Sequence, residues 1–188
     1  INEILKNNSG MATDYNNIGS VYKIIADEVA LLVNDQLMID SAKALYGLAL
    51  NYSNKSLDLE TLIGNNEGIA ISLISVGRLY LINNDITNAK IYAKKSFAIA
   101  KDLGYVSKIR NAALLLSEVY EMENNQIEAL KMYKFYITMR DSINNLSLQS
   151  AIANNEAKYE YEKQKVIDDA EHDKLLTIKQ KEKEKKKI

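Results

Sequence analysis

Small and apolar residues recur at helical spacing between Met11 and Asp141, and the pattern repeats itself. Val76-Gly77-Arg78-Leu79-Tyr80 leads through a polar turn, Asn83-Asn84-Asp85, into Ala89-Lys90-Ile91-Tyr92. Leu116-Ser117-Glu118-Val119-Tyr120 leads in the same way through Asn124-Asn125 into Ala129-Leu130-Lys131-Met132-Tyr133. Tyr80 and Tyr120 lie forty residues apart, as do Ala89 and Ala129. Two helical patterns in a period of that length predict helical hairpins that stack on one another.

The period extends towards the N-terminus. Ala49-Leu50-Asn51-Tyr52 matches Ala89-Lys90-Ile91-Tyr92, and Gly64 matches Gly104. A glycine just past a last helical turn accepts the left-handed conformation, so both predict helix C-termini. Ile18-Gly19-Ser20-Val21-Tyr22 repeats the first-helix pattern, but Gly19 and Gly77 are fifty-eight residues apart, so eighteen extra residues fall inside the first hairpin. A reversal at Asn34-Asp35 would lengthen both of its arms, with Ile25, Val29, Leu32 and Val33 facing Leu37, Ala42 and Leu45. The alternative makes 36–46 a separate short helix.

Beyond this region the pattern thins, predicting a repeat domain over 1–143 and a long charged helix over 144–188. Ile152, Tyr159 and Val166 keep a seven-residue step, yet Asn155 and Lys163 occupy the intervening seam, so the coiled-coil signal is weak. Lys179 to Lys187 is almost wholly charged and reads as a solvated end or a surface for anionic headgroups.

Composition narrows the fold and excludes much chemistry. The 188 residues contain no Pro, the commonest helix breaker, which argues for an all-α chain. They also contain no Cys, which excludes disulfides and thiolate-held metal. A formal net charge of -1 supplies no general attraction to nucleic acid or membrane. No apolar run approaches the ~18 residues that span a bilayer. The first residue is Ile, and the chain reads as part of a longer protein, so membrane contact is expected only through a span beyond residue 188. No phosphate loop, nucleophile elbow or two-histidine metal motif occurs, so we expect no catalytic residues, no cofactor and no metal. His172, the single histidine, shares a helix face with Asp168 and reads as an exposed residue.

The small residues that open the second helices (Ala49, Ala89, Ala129) are expected against those on the first helices (Gly19, Gly77, Ser117), where backbones approach closely. One hairpin cannot bury both of its faces, so three would stack into a right-handed α-solenoid with a concave wall. Helical geometry aims Thr13, Asn16, Ser20 and Lys23 at that wall, then Ile71, Ile74, Arg78 and Leu81, then Asn111, Leu114, Glu118 and Glu121. Of these, Asn16, Ser20, Lys23, Ile74, Arg78, Asn111, Leu114 and Glu118 are the candidate ligand-binding residues. Apolar positions beside amides and charges suit a peptide or protein segment, and Lys23, Arg78, Asn16 and Asn111 offer donors for a carboxylate. The competing expectation is a solvated wall with Arg78 paired to Glu118.

These spacings resemble the tetratricopeptide repeat, whose unit runs W-x-x-L-G-x-x-Y and then a small residue, an aromatic and a small residue. The first aromatic is replaced by Tyr15, Leu73 and Ala113, and the period is longer than in the common form. Three units are covered, about residues 11–141. In addition, 135–143 and 158–163 resemble the junction in bacterial receptors whose repeats end in a charged helix, followed by a membrane span and a histidine kinase or helix-turn-helix output domain. The resemblance implies a non-catalytic sensing region of a two-component sensor histidine kinase. It would lie on the periplasmic side, bind a peptide or protein, and be a homodimer in the full-length protein. The alternatives are a cytoplasmic scaffold or peptide-responsive regulator, or the sensor of a helix-turn-helix transcriptional regulator.

Overall fold

A computed structural model describes the backbone of residues 2–31 and 36–185, and the side chains of residues 7–31, 36–165, 168, 169 and 172. The described residues are all-helical: α1 Asn2–Leu31, α2 Gln36–Ile63, α3 Asn66–Ile82, α4 Ile86–Asp102, α5 Val106–Met122 and α6 Gln126–Lys185. The chain divides into two compact units, Ile1–Asp141 and Ser142–Ile188.

Four turns within the first unit share one chemistry. Gly64 and Gly104 have φ of 69°, and Asn84 and Asn124 have φ of 60° and 59°. Only glycine, and to a lesser degree asparagine, adopts this left-handed geometry at low cost. At each turn the following residue's N–H reaches back to an orphan carbonyl: Asn65 to Glu60, Asp85 to Tyr80, Tyr105 to Ala100 and Asn125 to Tyr120. The turn residue itself bonds a second carbonyl, as Gly64 does to Thr61 and Asn84 to Leu81, completing a Schellman closure. Polar side chains then cap the next helix: the carbonyl of Asn65 accepts from the Gly68 N–H, and the Asp85 carboxylate from the Asn88 N–H.

Helices α1 and α2 are 30 and 28 residues long, against 17 for each of α3, α4 and α5. The segment 36–46 therefore belongs to α2 and is not a separate helix. The turn expected at Asn34-Asp35, with Leu32 and Val33, lies outside the described residues. The seam between the long arms keeps part of the expected stripe: Ala42 is buried and Val29 and Leu45 are half-buried, whereas Ile25 is 40% exposed and Leu37 72% exposed, and Ala26 is the fully covered residue on α1. The buried line runs through small residues because the backbones approach too closely for branched side chains there.

That approach recurs in register. A Cβ added at Gly19 would meet the Ala49 carbonyl oxygen at 3.1 Å, and one at Gly77 would meet the Ala89 carbonyl oxygen at 3.4 Å. In the third hairpin the Ser117 hydroxyl donates to the Ala129 carbonyl at 3.1 Å. Tyrosines close two of these crossings by stacking, Tyr22 on Tyr52 at 5.6 Å and Tyr80 on Tyr92 at 5.3 Å. Successive helices pack on one another from α1 to α5, and α3 also touches both α1 and α5. Helix α3 is accordingly buried on several sides, with Ala70, Leu73, Val76 and Leu79 in the core. Val76 and Leu79 are joined there by Leu115 and Val119 of α5 as the largest fully buried apolar side chains.

Buried serines connect elements by donating to helix carbonyls, each of which has a second lone pair beyond its intrahelical bond. The Ser56 hydroxyl donates to the Ala12 carbonyl at 2.8 Å, and Ser96, one period later, donates to the Ala70 carbonyl at 2.8 Å. Each bond satisfies a group that burial would otherwise penalise, a net gain of about 0.5–1.5 kcal/mol.

The second unit is represented by the rest of α6. Its described side chains are exposed apart from the half-buried Ile143, and the exposed ones include Leu146, Leu148, Ile152, Tyr159 and Tyr161. Lys158 pairs with Glu162 at 4.0 Å and Lys163 with Glu160 at 3.7 Å. These are solvated same-helix pairs that add a few tenths of a kcal/mol each at most. The Val166 side chain, the third residue of the heptad step, lies outside the described residues.

Candidate functional site

Four of the eight candidate residues meet in one cleft between α1 and α3. Ser20 and Lys23 of α1 and Ile74 and Arg78 of α3 line about 130 Å³, together with Gly19, Ser53, Ser75 and Leu79. The cleft exists because of the small residues beneath it. Gly19 lets α2 approach α1, while Ile74 and Leu79 supply the apolar floor. Alternation along two helices thus produces an apolar base with hydroxyl and cationic walls, the make-up of a site that fixes a ligand's orientation.

Both cations are already engaged. The Lys23 ammonium bonds Asp27 at 2.5 Å, and Asp27 also accepts from the Tyr46 hydroxyl at 2.7 Å. Burial pushes the Asp27 carboxyl up, but the bonds from Lys23 and Tyr46 outweigh this and hold it below its ordinary value. Burial and the same carboxylate push the Tyr46 hydroxyl up to about 12. Asp27 is therefore an anion and Tyr46 a neutral donor at neutral pH, and together they fix Lys23. Arg78 bonds Glu118 of α5 at 2.9 Å, which is the pairing expected of a solvated wall.

The magnitude of these pairs decides what the cleft can do. The partners are 29–41% exposed in the first pair and 32–34% exposed in the second. At such exposure an ion pair contributes about 0–1 kcal/mol, so exchanging one carboxylate for another is close to neutral. The paired cations are thus held in place without being sequestered, and an incoming carboxylate can compete for either.

The remaining candidates divide. Asn16 is tied to the cleft, since its side-chain oxygen accepts from the Ser75 hydroxyl at 3.2 Å, leaving its amide N–H₂ to donate. Glu118 is tied to it through Arg78. Asn111 does not join the carboxylate-holding group: it is exposed, and its oxygen accepts from its neighbour Arg110 at 3.0 and 2.9 Å. Leu114 is half-buried on α5 and is not among the lining residues. Both sit on α5, one hairpin further along.

Three contributors were not read from the sequence. Ser75 both lines the cleft and positions Asn16, and Asp27 with Tyr46 sets the charge and place of Lys23. The serine carries no sequence signal distinguishing it from any other, but Lys23 and Asp27 stand four apart on one helix, a spacing that predicts their pair. His172 is exposed, as expected of it. Among the described residues no group of three or more His, Cys, Asp or Glu side chains is placed to hold a metal ion, and no helix is long and apolar enough to cross a membrane. No protein-family model matches the chain, and no curated protein matches it.

Proposed function

We propose that this chain is a non-catalytic, tetratricopeptide-like interaction region that binds a peptide or protein segment along α1, α3 and α5. The observation that carries the reading is the convergence of Ser20, Lys23, Ile74 and Arg78, from two separate hairpins, on one cleft. The stacking of three hairpins into a right-handed solenoid belongs to the same proposal. It is supported by the recurrence of the small-residue contact at Gly19, Gly77 and Ser117 and of the left-handed turn residues. The ligand's recognised feature is a carboxylate, either a side chain or a chain terminus. It would bond Lys23, Arg78 and the Asn16 amide, with an apolar neighbour on Ile74.

The wider role follows from the resemblance at 135–143 and 158–163. On this reading the chain is the sensing region of a bacterial membrane receptor of the histidine kinase type, on the periplasmic side, and functions as a homodimer. Helix α6, which runs from Gln126 to Lys185, would carry the response onward as a rotation or shift.

The test of the cleft is binding of fluorescent peptides from a random library, followed by polarisation. Wild-type protein should select peptides bearing a carboxylate next to an apolar residue. Lys23→Ala and Arg78→Ala should each weaken those peptides by up to about 5-fold, the scale of one ion pair at this exposure. Selection of peptides that bind both variants as well as the wild type would sink the reading.

A further inference from the structure

A second groove, lined by none of the residues of the cleft, has an internal counterpart that indicates what fills it. The groove lies between α2 and α4 over α3 and encloses about 570 Å³, with Leu57, Ile69, Leu73 and Ile99 as its apolar surface. Tyr92 forms one side of it, and Asp58 and Lys95 stand at its rim.

One period later the same positions belong to α4 and α6. Phe97 replaces Leu57, and Phe135 replaces Lys95. There the two rings meet edge to face, with centroids 5.5 Å apart and planes at 64°, so an aromatic side chain occupies the space between the second helices. The first groove lacks that ring because Lys95 stands in its place. The Lys95 ammonium forms no ion pair among the described residues, and it sits 5.9 Å from the centroid of the Tyr92 ring. An open apolar groove thus presents an unpaired cation, over an aromatic face, at the position where the sibling groove holds phenylalanine.

We infer that the groove between α2 and α4 is a docking site for an aromatic side chain of a partner peptide, which takes the place Phe135 takes in the following hairpin. The ring would rest on Leu57 and Leu73, with Lys95 over its face in a cation–π contact. Asp58 at the rim leaves the groove with one charge of each sign, so the anchor is the ring and not a charge. The site is separate from the cleft between α1 and α3, and it stands or falls independently of that cleft.

The experiment uses the whole chain with labelled methyl groups, titrated with N-acetyl-phenylalaninamide and, in parallel, N-acetyl-leucinamide. The phenylalanine compound should shift the methyl signals of Leu57, Leu73 and Ile99 and bind at least 5-fold more tightly than the leucine compound. Lys95→Phe, which installs the residue of the sibling groove, should reduce that binding at least 5-fold. Ala98→Trp, which blocks the groove from an exposed position, should do the same without altering the core. Arg78→Ala should leave the binding unchanged. Equal binding of the two compounds, unchanged binding in both groove variants, or loss of binding with Arg78→Ala would each overturn the assignment.

Discussion

Glu60 is the residue whose chemistry fits its surroundings least. It is 5% exposed, and its Oε2 has no hydrogen-bond partner among the described residues. Its neighbour is Gly68 near the start of α3, where any Cβ would overlap the carboxyl group. Burial pushes the Glu60 carboxyl above its ordinary value, against the opposing effect of a bond from the Asn65 side chain. A raised folded-state value means that the native state holds the proton more tightly than the unfolded chain does. Its contribution is therefore fully present below the unfolded value, about 4.3, and is lost as pH rises through the raised folded value. Glu60→Gln keeps the shape and removes the titration. In urea melts the variant should match the wild type near pH 4 and exceed it near pH 7 by about 1 kcal/mol, the order of cost of an unsatisfied buried group. A wild type that gains on the variant between those two values would refute the account. One period on, the same position is Ala100, so the period offers no warning of a buried acid here.

At the scale of elements, the hairpins depend on two kinds of position with different sensitivities. Gly104 has a positive φ with open space around it, so its requirement is purely conformational. Gly104→Ala should cost about 1–2 kcal/mol through backbone strain alone. Gly77 has ordinary helical geometry, but an added Cβ would lie 3.1 Å from Leu115 Cδ2 and 3.2 Å from the Tyr92 Cβ. Alanine there gains up to about 1 kcal/mol of helix propensity against a tight contact, and a larger residue has no room. Gly77→Leu should therefore destabilise by about 1–3 kcal/mol, in excess of Gly77→Ala, with the loss read as a lower midpoint in thermal or chemical unfolding. If leucine and alanine proved equivalent, α3 and α4 would not be held by close approach. Both glycines are legible in the sequence, because a turn signal and a small-residue crossing each recur at a fixed interval. The serine bonds of Ser56 and Ser96 recur at the same interval and were still not legible. Their acceptors, Ala12 and Ala70, are separated from them by forty-four and twenty-six residues.

At the scale of the whole molecule, the division after Asp141 separates a packed unit from a stretch of α6 whose described side chains beyond Ile143 face solvent. The proposed periplasmic placement makes a prediction at this scale. Alkaline phosphatase, which folds only in an oxidising compartment, joined within the exposed stretch of the full-length gene product should be active in intact cells. Green fluorescent protein at the same junction should be dark when exported through the general secretory route. The reverse pair of results would favour a cytoplasmic scaffold built from the same hairpins.

The sequence by itself determined the helices, their turns and the register in which small residues meet, because each depends on chemistry within a few residues. A left-handed asparagine or glycine, a capping side chain and a 3.6-residue period carry their meaning locally. The tertiary structure alone decided that Ser20 and Lys23 share a cleft with Ile74 and Arg78 while Asn111 stays outside it. It also decided that Glu60 is enclosed, and that Phe135 meets Phe97 between α4 and α6 while the groove between α2 and α4 stands open. Those outcomes depend on how far each helix is rotated about its own axis when it packs. A fraction of a turn, set by side chains on other hairpins, moves a residue from wall to solvent.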